Sequence, residues 1–264
     1  MQVLILFIAL LWVFPLSAET ILEGNLKQGG LILGQTNPGN TVRLDQRDVR
    51  VSSSGRFVLG FSRKAKKRFE LTIKEPNGSF EKLILNIEQR TYALQRINGL
   101  PKNMISPPKK VLERIRIENK KIWQVRMRDT EQTFFSLEFI WPAKGRISGV
   151  YGSQRILNGE PKQPHYGIDI AAPKGSLVIA PADGVVVLSE RDLYYSGGTI
   201  ILDHGHGLTS AFLHLDKIFI SVGDIISKSK PIGTIGSTGR ATGPHLDWRI
   251  NWFENRIDPG LLVE

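Results

Sequence analysis

The sequence predicts a mainly β protein: an N-terminal antiparallel β-domain, a basic helical connector and a C-terminal antiparallel β-sheet domain. Three observations support this. Short runs that alternate polar and apolar residues recur to about residue 97, a helical spacing of apolar residues follows two prolines, and glycine-dense strand pairs fill the chain from about residue 140. With 41% hydrophobic and 23% charged residues in 264, the composition excludes disordered and fibrous proteins.

The N-terminal β-domain is predicted over residues 19–97, as a β-sandwich-like accessory domain. Its alternating runs include TVRLDQ, GRFVLGF, RFELTIKE and EKLILNIEQ, and they are separated by turn signals such as Ser54-Gly55 and Asn77-Gly78. The segment contains no histidine and no catalytic constellation. We therefore expect a binding or spacing module.

Residues 98–138 are predicted to be a linker that contains a basic helix. Proline is tolerated in the first turn of a helix, so the helix is expected to begin at Pro107-Pro108. Apolar residues then recur at helical spacing, and the other faces are basic, which indicates either a solvated helix face or a strip that binds the cell wall or lipid. The basic residues are Lys109, Lys110, Arg114, Arg116, Lys120, Lys121, Arg126 and Arg128.

The positive charge of the chain is concentrated in its N-terminal half. Residues 19–138 contain 23 Lys and Arg against 13 Asp and Glu, whereas the two classes balance in residues 139–264. Such a surface suits anionic envelope polymers or lipid head groups, with an ordinary solvated face as the alternative. Nucleic acid is not expected as a partner, because the basic residues are not interleaved with stacking aromatics.

The first 18 residues are predicted to be a secretory signal peptide. The apolar run from Val3 to Ala18 is interrupted by Pro15 and is shorter than a membrane-spanning helix requires. No Lys or Arg precedes the run, so an uncleaved membrane anchor and a misassigned start codon remain alternatives. Cleavage after Ala18 predicts a protein of the periplasm or the cell exterior.

Candidate functional residues are concentrated in the C-terminal domain, residues 139–264. The chain has no cysteine, so a metal ion would be held by nitrogen and oxygen atoms, and all five histidines lie between His165 and His245. In HYGID, His165 and Asp169 are four residues apart in a stretch that is predicted to be extended. They therefore face the same side and are candidate ligands of a cation such as Zn²⁺, or a hydrogen-bonded pair.

The segment GPHLDWRINW predicts a half-buried strand. Polar and apolar residues alternate strictly, so His245 and Asp247 share the polar face while the apolar set packs into the core. The preceding GSTGRATG is too rich in glycine to pack a core, and would let a substrate backbone approach closely.

A third candidate is His214, in LTSAFLHL. Alternation predicts that Ser210, Phe212 and His214 lie on one side of this strand and that Thr209, Ala211 and Leu213 lie on the other. By contrast, His204-Gly205-His206 is predicted to form a hairpin turn and not to bind metal, because it separates two strand patterns and its glycines permit positive φ.

The ordered motifs HYGIDIAAP, VIAPADGVV, DHGHGLTSAFLHL and GSTGRATGPHLDW resemble those of the lysostaphin-type (LytM-type) zinc metalloendopeptidases, which cut peptide cross-links in bacterial peptidoglycan. The resemblance covers about residues 140–260. It implies an antiparallel β-sheet metallopeptidase domain, one Zn²⁺ per chain and peptidoglycan as substrate.

The resemblance also implies roles for the residues. His165 and Asp169 match two zinc ligands, and His214 and His245 match the catalytic pair that moves protons and stabilises the oxyanion. The third ligand of the family is the second histidine of H-x-H, where this chain has Asp247. A carboxylate can bind Zn²⁺, but two carboxylates and one imidazole neutralise its charge, so the bound water should be a weaker acid.

Two functions are consistent with these residues. The first is a zinc metalloendopeptidase that remodels the cell wall, with His165, Asp169 and Asp247 as ligands. The second is a catalytically degenerate LytM-type factor that binds the wall or activates a separate amidase.

Overall fold

A computed structural model describes residues 20–99, 107–135 and 138–263. It confirms the predicted mainly β fold. The predicted signal peptide lies outside the described residues. Among the residues that are described, none of the helices has the length and apolar character needed to cross a membrane.

The N-terminal part is built from short antiparallel strands, as predicted. Those described are β1 (Ile21–Gly24), β2 (Leu31–Gln35), β3 (Thr41–Leu44), β4 (Arg47–Val49), β5 (Arg56–Gly60), β6 (Arg68–Lys74) and β7 (Phe80–Asn86). They form two sheets with the orders β1-β2-β5 and β4-β3-β6-β7. Alternate residues such as Val42 and Leu44 are buried, because one face of each sheet packs on the core.

The connecting region contains one strand and one helix among the described residues. Strand β8 (Leu94–Ile97) ends at the predicted domain boundary, and helix α1 (Leu112–Arg126) follows a short 3₁₀ turn at Lys109–Val111. The helix begins close to Pro107-Pro108, as the sequence predicts. Strand β8 pairs in parallel with a strand of the C-terminal part, so the connection is made by backbone hydrogen bonds as well as by the chain.

The C-terminal part is dominated by one large antiparallel sheet. The strands of this part are β9 (Arg146–Gly149), β10 (Gln154–Leu157), β11 (Glu160–Pro161), β12 (Ile168–Ala171), β13 (Leu177–Ile179), β14 (Gly184–Leu193), β15 (Gly197–Gly205), β16 (Leu208–Ile218), β17 (Ile225–Ile226), β18 (Pro231–Ile235), β19 (His245–Trp252) and β20 (Asn255–Ile257). The central path of the large sheet runs β17-β14-β15-β16-β19-β12-β9, and β10 joins β8 and β11 in a small separate sheet.

A continuous hydrophobic core joins the two parts of the protein. It extends from Leu31 and Phe57 in the N-terminal sheets to Trp248 and Trp252 in β19. At the junction Gly60 lies against Trp252 so closely that a Cβ atom would come within 2.6 Å of the Trp252 Cβ. The N-terminal sheets are therefore packed on the back of the strand whose other face carries polar residues.

Helix α1 packs on the opposite face of the large sheet. Val125 belongs to a second apolar cluster with Ile201 and Leu213. Leu213 is paired in register with Asp247, so α1 lies on the same face of the sheet as the polar residues of β19. Its basic side chains reach β14, where Arg114 donates to the Asp192 carboxylate at 3.0 Å.

Gly60→Ala is expected to destabilise the whole chain by about 1–3 kcal/mol, because the added methyl group overlaps Trp252 and Ile257 across the junction. Urea unfolding should show one shared transition at a lower midpoint. Gly243→Ala is the control, since its Cβ would meet no atom within 4 Å. A variant in which only the N-terminal part unfolds earlier would contradict the shared core.

Candidate metal centre and active site

Two carboxylates meet where β12 pairs with β19. Asp169 lies directly opposite Asp247 in the antiparallel register. The flanking residues of both strands, such as Ile170 and Trp248, point into the main core. Strand alternation therefore brings the two acids together on the other face, where both are at least nine-tenths buried.

His165 completes this cluster. Its Nε2 atom lies 2.9 Å from Oδ1 of Asp169 and 3.7 Å from Oδ2 of Asp247. One potential ligand atom from each of the three residues lies within 4.8 Å of the others. The structure thus brings together the three residues that the sequence identifies as candidate ligands.

The tautomer of His165 directs a lone pair at the carboxylates. Its Nδ1 lies 3.3 Å from the Val150 carbonyl, which can only accept, so Nδ1 carries the hydrogen and Nε2 is left as an acceptor. Both Nε2 and Oδ1 of Asp169 are buried without a hydrogen-bond partner. Two facing lone pairs repel, so the arrangement calls for a proton or a cation between them.

Each carboxylate also pairs with an arginine. Arg249 is bidentate to Asp247, with Nε 2.9 Å from Oδ1 and Nη2 2.5 Å from Oδ2. Arg155 Nη2 lies 3.3 Å from Oδ2 of Asp169. A carboxylate oxygen has two lone-pair sites and can accept from arginine while binding a metal ion. The arginines orient the acids and offset their charge.

These neighbours shift the pKa values at the centre. Burial alone would raise the pKa of Asp247, but Arg249 and His165 outweigh it and hold the pKa well below its usual range. Burial lowers the pKa of His165, but Asp169 and Asp247 outweigh it and the pKa is raised. Asp247 is therefore a permanent anion at neutral pH, as a metal ligand must be.

The donor set fits Zn²⁺. One imidazole nitrogen and two carboxylates are ordinary zinc ligands, and three protein ligands leave a fourth position for water or substrate, as in catalytic zinc sites. The backbone carbonyl of Val150 and the two arginines supply the outer contacts that usually orient such ligands.

His214 lies beside the cluster, but the prediction that it shares one side of β16 with Ser210 and Phe212 is wrong. Ser210 and Phe212 face the main core, where Ser210 bonds His204 and Phe212 packs with Trp248, so His214 does not share their side. The backbone of His214 has φ +65°, and the pairing of β15 with β16 shifts in this region. This irregularity turns its ring to within 4.7 Å of His245, on the face of Asp247.

Both histidines of this pair are held in the tautomer that leaves Nε2 as an acceptor. His214 Nδ1 lies 2.8 Å from the Thr238 carbonyl, and His245 Nδ1 lies 2.8 Å from the Gly243 carbonyl. Burial lowers the pKa of His214, in spite of the opposing effect of Asp247. The neutral ring can therefore accept a proton at pH 7.

The predicted hairpin turn between β15 and β16 is present, with His204 near the end of β15 and His206 in the turn itself. Gly205 and Gly207 have φ of +94° and +78°, as the turn requires. His204 bonds the Asp183 carbonyl and Ser210, and its ring packs on Phe139 in the core. Within the described part of the chain, neither histidine belongs to the His–Asp–Asp cluster.

The sequence did not identify the two arginines. Arg249 was visible on the polar face of β19, and its spacing of two from Asp247 is the signal that could have paired them. Arg155 offers no such signal, because its strand β10 is placed by pairing with β8, a segment about 60 residues away in the chain.

The family model "Peptidase family M23" matches residues 163–259, which include all three residues of the cluster and both neighbouring histidines. The chain contains a peptidase M23 domain of the LytM/lysostaphin type. The crystal structure of a protein from Pseudomonas aeruginosa described as a peptidase M23 is similar to the chain outside this domain as well. It has a TM-score of 0.69 and 25% identity, with 89% of this chain and 93% of that chain covered.

The M23 domain is also similar to curated relatives. Peptidoglycan DD-endopeptidase ShyA of Vibrio cholerae is 39% identical over 109 residues, covering 41% of this chain and 25% of the relative. DD-carboxypeptidase/endopeptidase Mpg of Neisseria meningitidis is 42% identical over 108 residues, covering 40% and 25%. The chain thus spans about a quarter of the length of these relatives.

Asp247→Asn is expected to reduce bound Zn²⁺ from one per chain to well below that, because the amide keeps the volume and a bond to Arg249 but loses the anionic ligand. Metal content after dialysis, measured by atomic emission, checks this. Asp203→Asn is the matched control, since Asp203 is equally buried but bonds Thr130 and Gly205. Equal zinc in wild type and Asp247→Asn would remove Asp247 from the ligand set.

Stability should fall as the pH drops below about 6.5, because burial lowers the pKa of His204 in the folded state. A depressed histidine pKa means that the unfolded chain binds more protons. The contribution of His204 to the free energy of unfolding is complete above the pKa that His204 has in the unfolded chain. It is lost as the pH falls through the lower pKa of the folded state. Chemical unfolding between pH 7.5 and 5 should show a shallower pH dependence in His204→Gln. An unchanged slope would mean that His204 is not held neutral.

Proposed function

We propose that this chain is an exported zinc metalloendopeptidase that hydrolyses peptide cross-links of bacterial peptidoglycan. The observation that carries the proposal is the buried His165–Asp169–Asp247 cluster with His214 and His245 beside it. The names of the relatives ShyA and Mpg support peptidoglycan as the substrate class. The predicted signal peptide supports a location in the periplasm or outside the cell.

His165, Asp169 and Asp247 would hold the zinc ion, with Arg249 and Arg155 fixing the two carboxylates. A bound Zn²⁺ supplies a Lewis acid that activates water and the scissile carbonyl at neutral pH. The arginine pairs have a further consequence for this centre. Because each carboxylate shares its charge with a guanidinium, the centre stays more positive than the bare ligand set predicts.

His214 and His245 would move the proton and hold the developing oxyanion. Their Nε2 atoms are acceptors in the tautomers set by the Thr238 and Gly243 carbonyls, and His245 Nε2 lies 3.9 Å from Oδ1 of Asp169. His214, whose pKa is lowered by burial, would take the proton of the attacking water and return it to the leaving amine. Once protonated, it donates to the oxyanion.

The glycine-rich segment before β19 is suited to hold the peptide. It runs past His214, because Thr238 bonds both the His214 ring and the Gly198 backbone. Gly243 has no neighbour within 4 Å of its Cβ position, so the backbone of a substrate can approach there. Arg240, in the same segment, packs its guanidinium over the Tyr195 ring.

A second candidate function is a degenerate M23 factor that binds the wall or activates a separate amidase. The observation that favours it is the bidentate Arg249–Asp247 pair, which satisfies the carboxylate without a metal ion. Such a factor would keep the groove but would not cleave peptides.

His214→Ala should keep the fold and the bound zinc but lose about 10²-fold or more in cleavage of cross-linked peptides, since proton transfer contributes 10²–10⁴-fold. Muropeptide analysis by mass spectrometry measures this. Lys217→Ala, an exposed position on the same strand, is the control and should retain activity.

New amino and carboxyl ends within the cross-link peptides identify an endopeptidase. Intact cross-links in the presence of the zinc-loaded wild type would refute the enzyme. Stimulation of a partner amidase that His214→Ala leaves unchanged would then identify the degenerate factor.

A further inference from the structure

A group of arginines lies next to the candidate metal centre, between the end of α1 and strands β19 and β20. It consists of Arg126, Arg249 and Arg256, with Asn251 and Tyr166 beside them; we name it the arginine crevice. Arg249 and Asn251 follow Asp247 on the polar face of β19. Arg256 is paired with Asn251 in register and donates to its Oδ1 at 2.8 Å. Arg126 reaches the turn between the strands through the Phe253 carbonyl, at 3.4 Å.

The crevice has more cations than anions. Three carboxylates lie close enough to act on the charges of these arginines, namely Asp169, Asp247 and Glu254. Each of them already pairs with an arginine, because Asp169 accepts from Arg155, Asp247 is bidentate to Arg249 and Glu254 pairs with Arg47. Among the described residues, neither Arg126 nor Arg256 forms an ion pair. Burial and Arg249 together lower the pKa of Arg126 to about 10, and burial, Arg126 and Arg249 lower that of Arg256.

The crevice also contains buried donors without acceptors. Arg126 is 8% exposed and Asn251 is fully buried, yet Arg126 Nε and Asn251 Nδ2 have no hydrogen-bond partner. Buried donors normally find acceptors, and an unpaired one costs about 1–3 kcal/mol. Arg249 and Arg256 are only partly buried, so solvent reaches these two side chains of the crevice. An oxyanion entering from solvent would satisfy both the charge and the donors.

The crevice is close enough to the candidate metal centre for a bound peptide to contact both. Arg249 and Asn251 are two and four residues along β19 from Asp247, about 7 and 13 Å at the rise of a strand. An extended peptide covers the same distance in two to four residues. A carboxylate on a peptide bound at the centre can therefore reach the crevice.

We infer that the arginine crevice is an oxyanion subsite, and that its occupant is a free carboxylate of the peptide substrate, two to four residues from the scissile bond. The identification of the occupant as a peptide carboxylate rests on the proposed function, whereas the existence of the oxyanion site does not. Arg126 and Arg256 bind the carboxylate as charge-assisted donors, and Asn251 Nδ2 donates a third hydrogen bond. Arg249 belongs to the crevice but is shared with Asp247.

The first test measures anion binding without catalysis. Acetate and inorganic phosphate are titrated into the full chain in EDTA, so that binding to a metal ion is excluded. The affinity for these anions should fall at least tenfold in Arg126→Gln. It should stay unchanged in Arg128→Gln, because Arg128 is exposed just beyond the end of the helix. No binding by wild type, or equal loss in both variants, would overturn the subsite.

Asn251→Asp tests the charge excess independently of any added anion. Burying a new carboxylate normally destabilises a protein, but here it would accept from Arg256, which already donates to Asn251 Oδ1, and would take the place of the anion. The melting temperature should rise, and acetate should no longer bind. Asn40→Asp, at a buried asparagine in the N-terminal part, should lower the melting temperature. A fall in both variants would contradict the inference.

The second test compares a cross-linked peptide with its carboxamide analogue as substrates of the zinc-loaded chain. Wild type and Arg128→Gln should prefer the carboxylate at least tenfold in kcat/KM, and Arg126→Gln should lose the preference, mainly in KM. Cleavage without any preference would refute the carboxylate occupant. If neither peptide is cleaved but Arg126-dependent anion binding persists, the proposed function fails and the oxyanion site is supported.

Discussion

The repulsion between two buried carboxylates is the constraint on which the rest of the site depends. Asp169 and Asp247 are held face to face by the register of β12 and β19, and like charges in directly opposed positions destabilise a sheet. Two cations offset this repulsion, because Arg155 pairs with Asp169 and Arg249 pairs with Asp247. The lone pair of His165 Nε2 also faces the acids and adds to the repulsion. A divalent cation bound where the three residues meet would remove the remaining repulsion, and this relief would contribute to its binding free energy.

The rigidity of this cluster comes from the packing behind it. The apolar residues of β12 and β19 lie in a core that continues into the N-terminal sheets, where Gly60 allows the backbone to lie against Trp252. On the other face, Val125 of α1 belongs to the apolar cluster that contains Leu213, the residue paired with Asp247. The N-terminal part and the connector therefore act on the site through packing, although they contribute none of its five candidate residues. This packing on both faces of the sheet fixes the positions of the candidate ligands without a metal ion.

The arginines give the centre a charge that the ligand set does not predict. His165, Asp169 and Asp247 together would neutralise a divalent cation, but Arg249 and Arg155 share the charge of the two carboxylates. The positive charge extends along β19 into the arginine crevice, where Arg126 and Arg256 lack carboxylate partners among the described residues. The candidate metal centre and the crevice thus lie next to each other on the polar face of the strand, with the unbalanced positive charge on the side of the crevice.

The sequence alone determined the mainly β fold, the hairpin at His204–Gly207 and the shared face of His245 and Asp247, because these follow from local periodicity and turn residues. It also identified His165, Asp169 and His214 as candidates, with roles taken from a family resemblance. It could not determine which face His214 occupies, because the positive φ at this residue breaks the alternation of β16. Nor could it pair Arg155 with Asp169, or bring Arg126 from α1 to Arg256. Those contacts join segments far apart in the chain, and only the packing of the tertiary structure decides them.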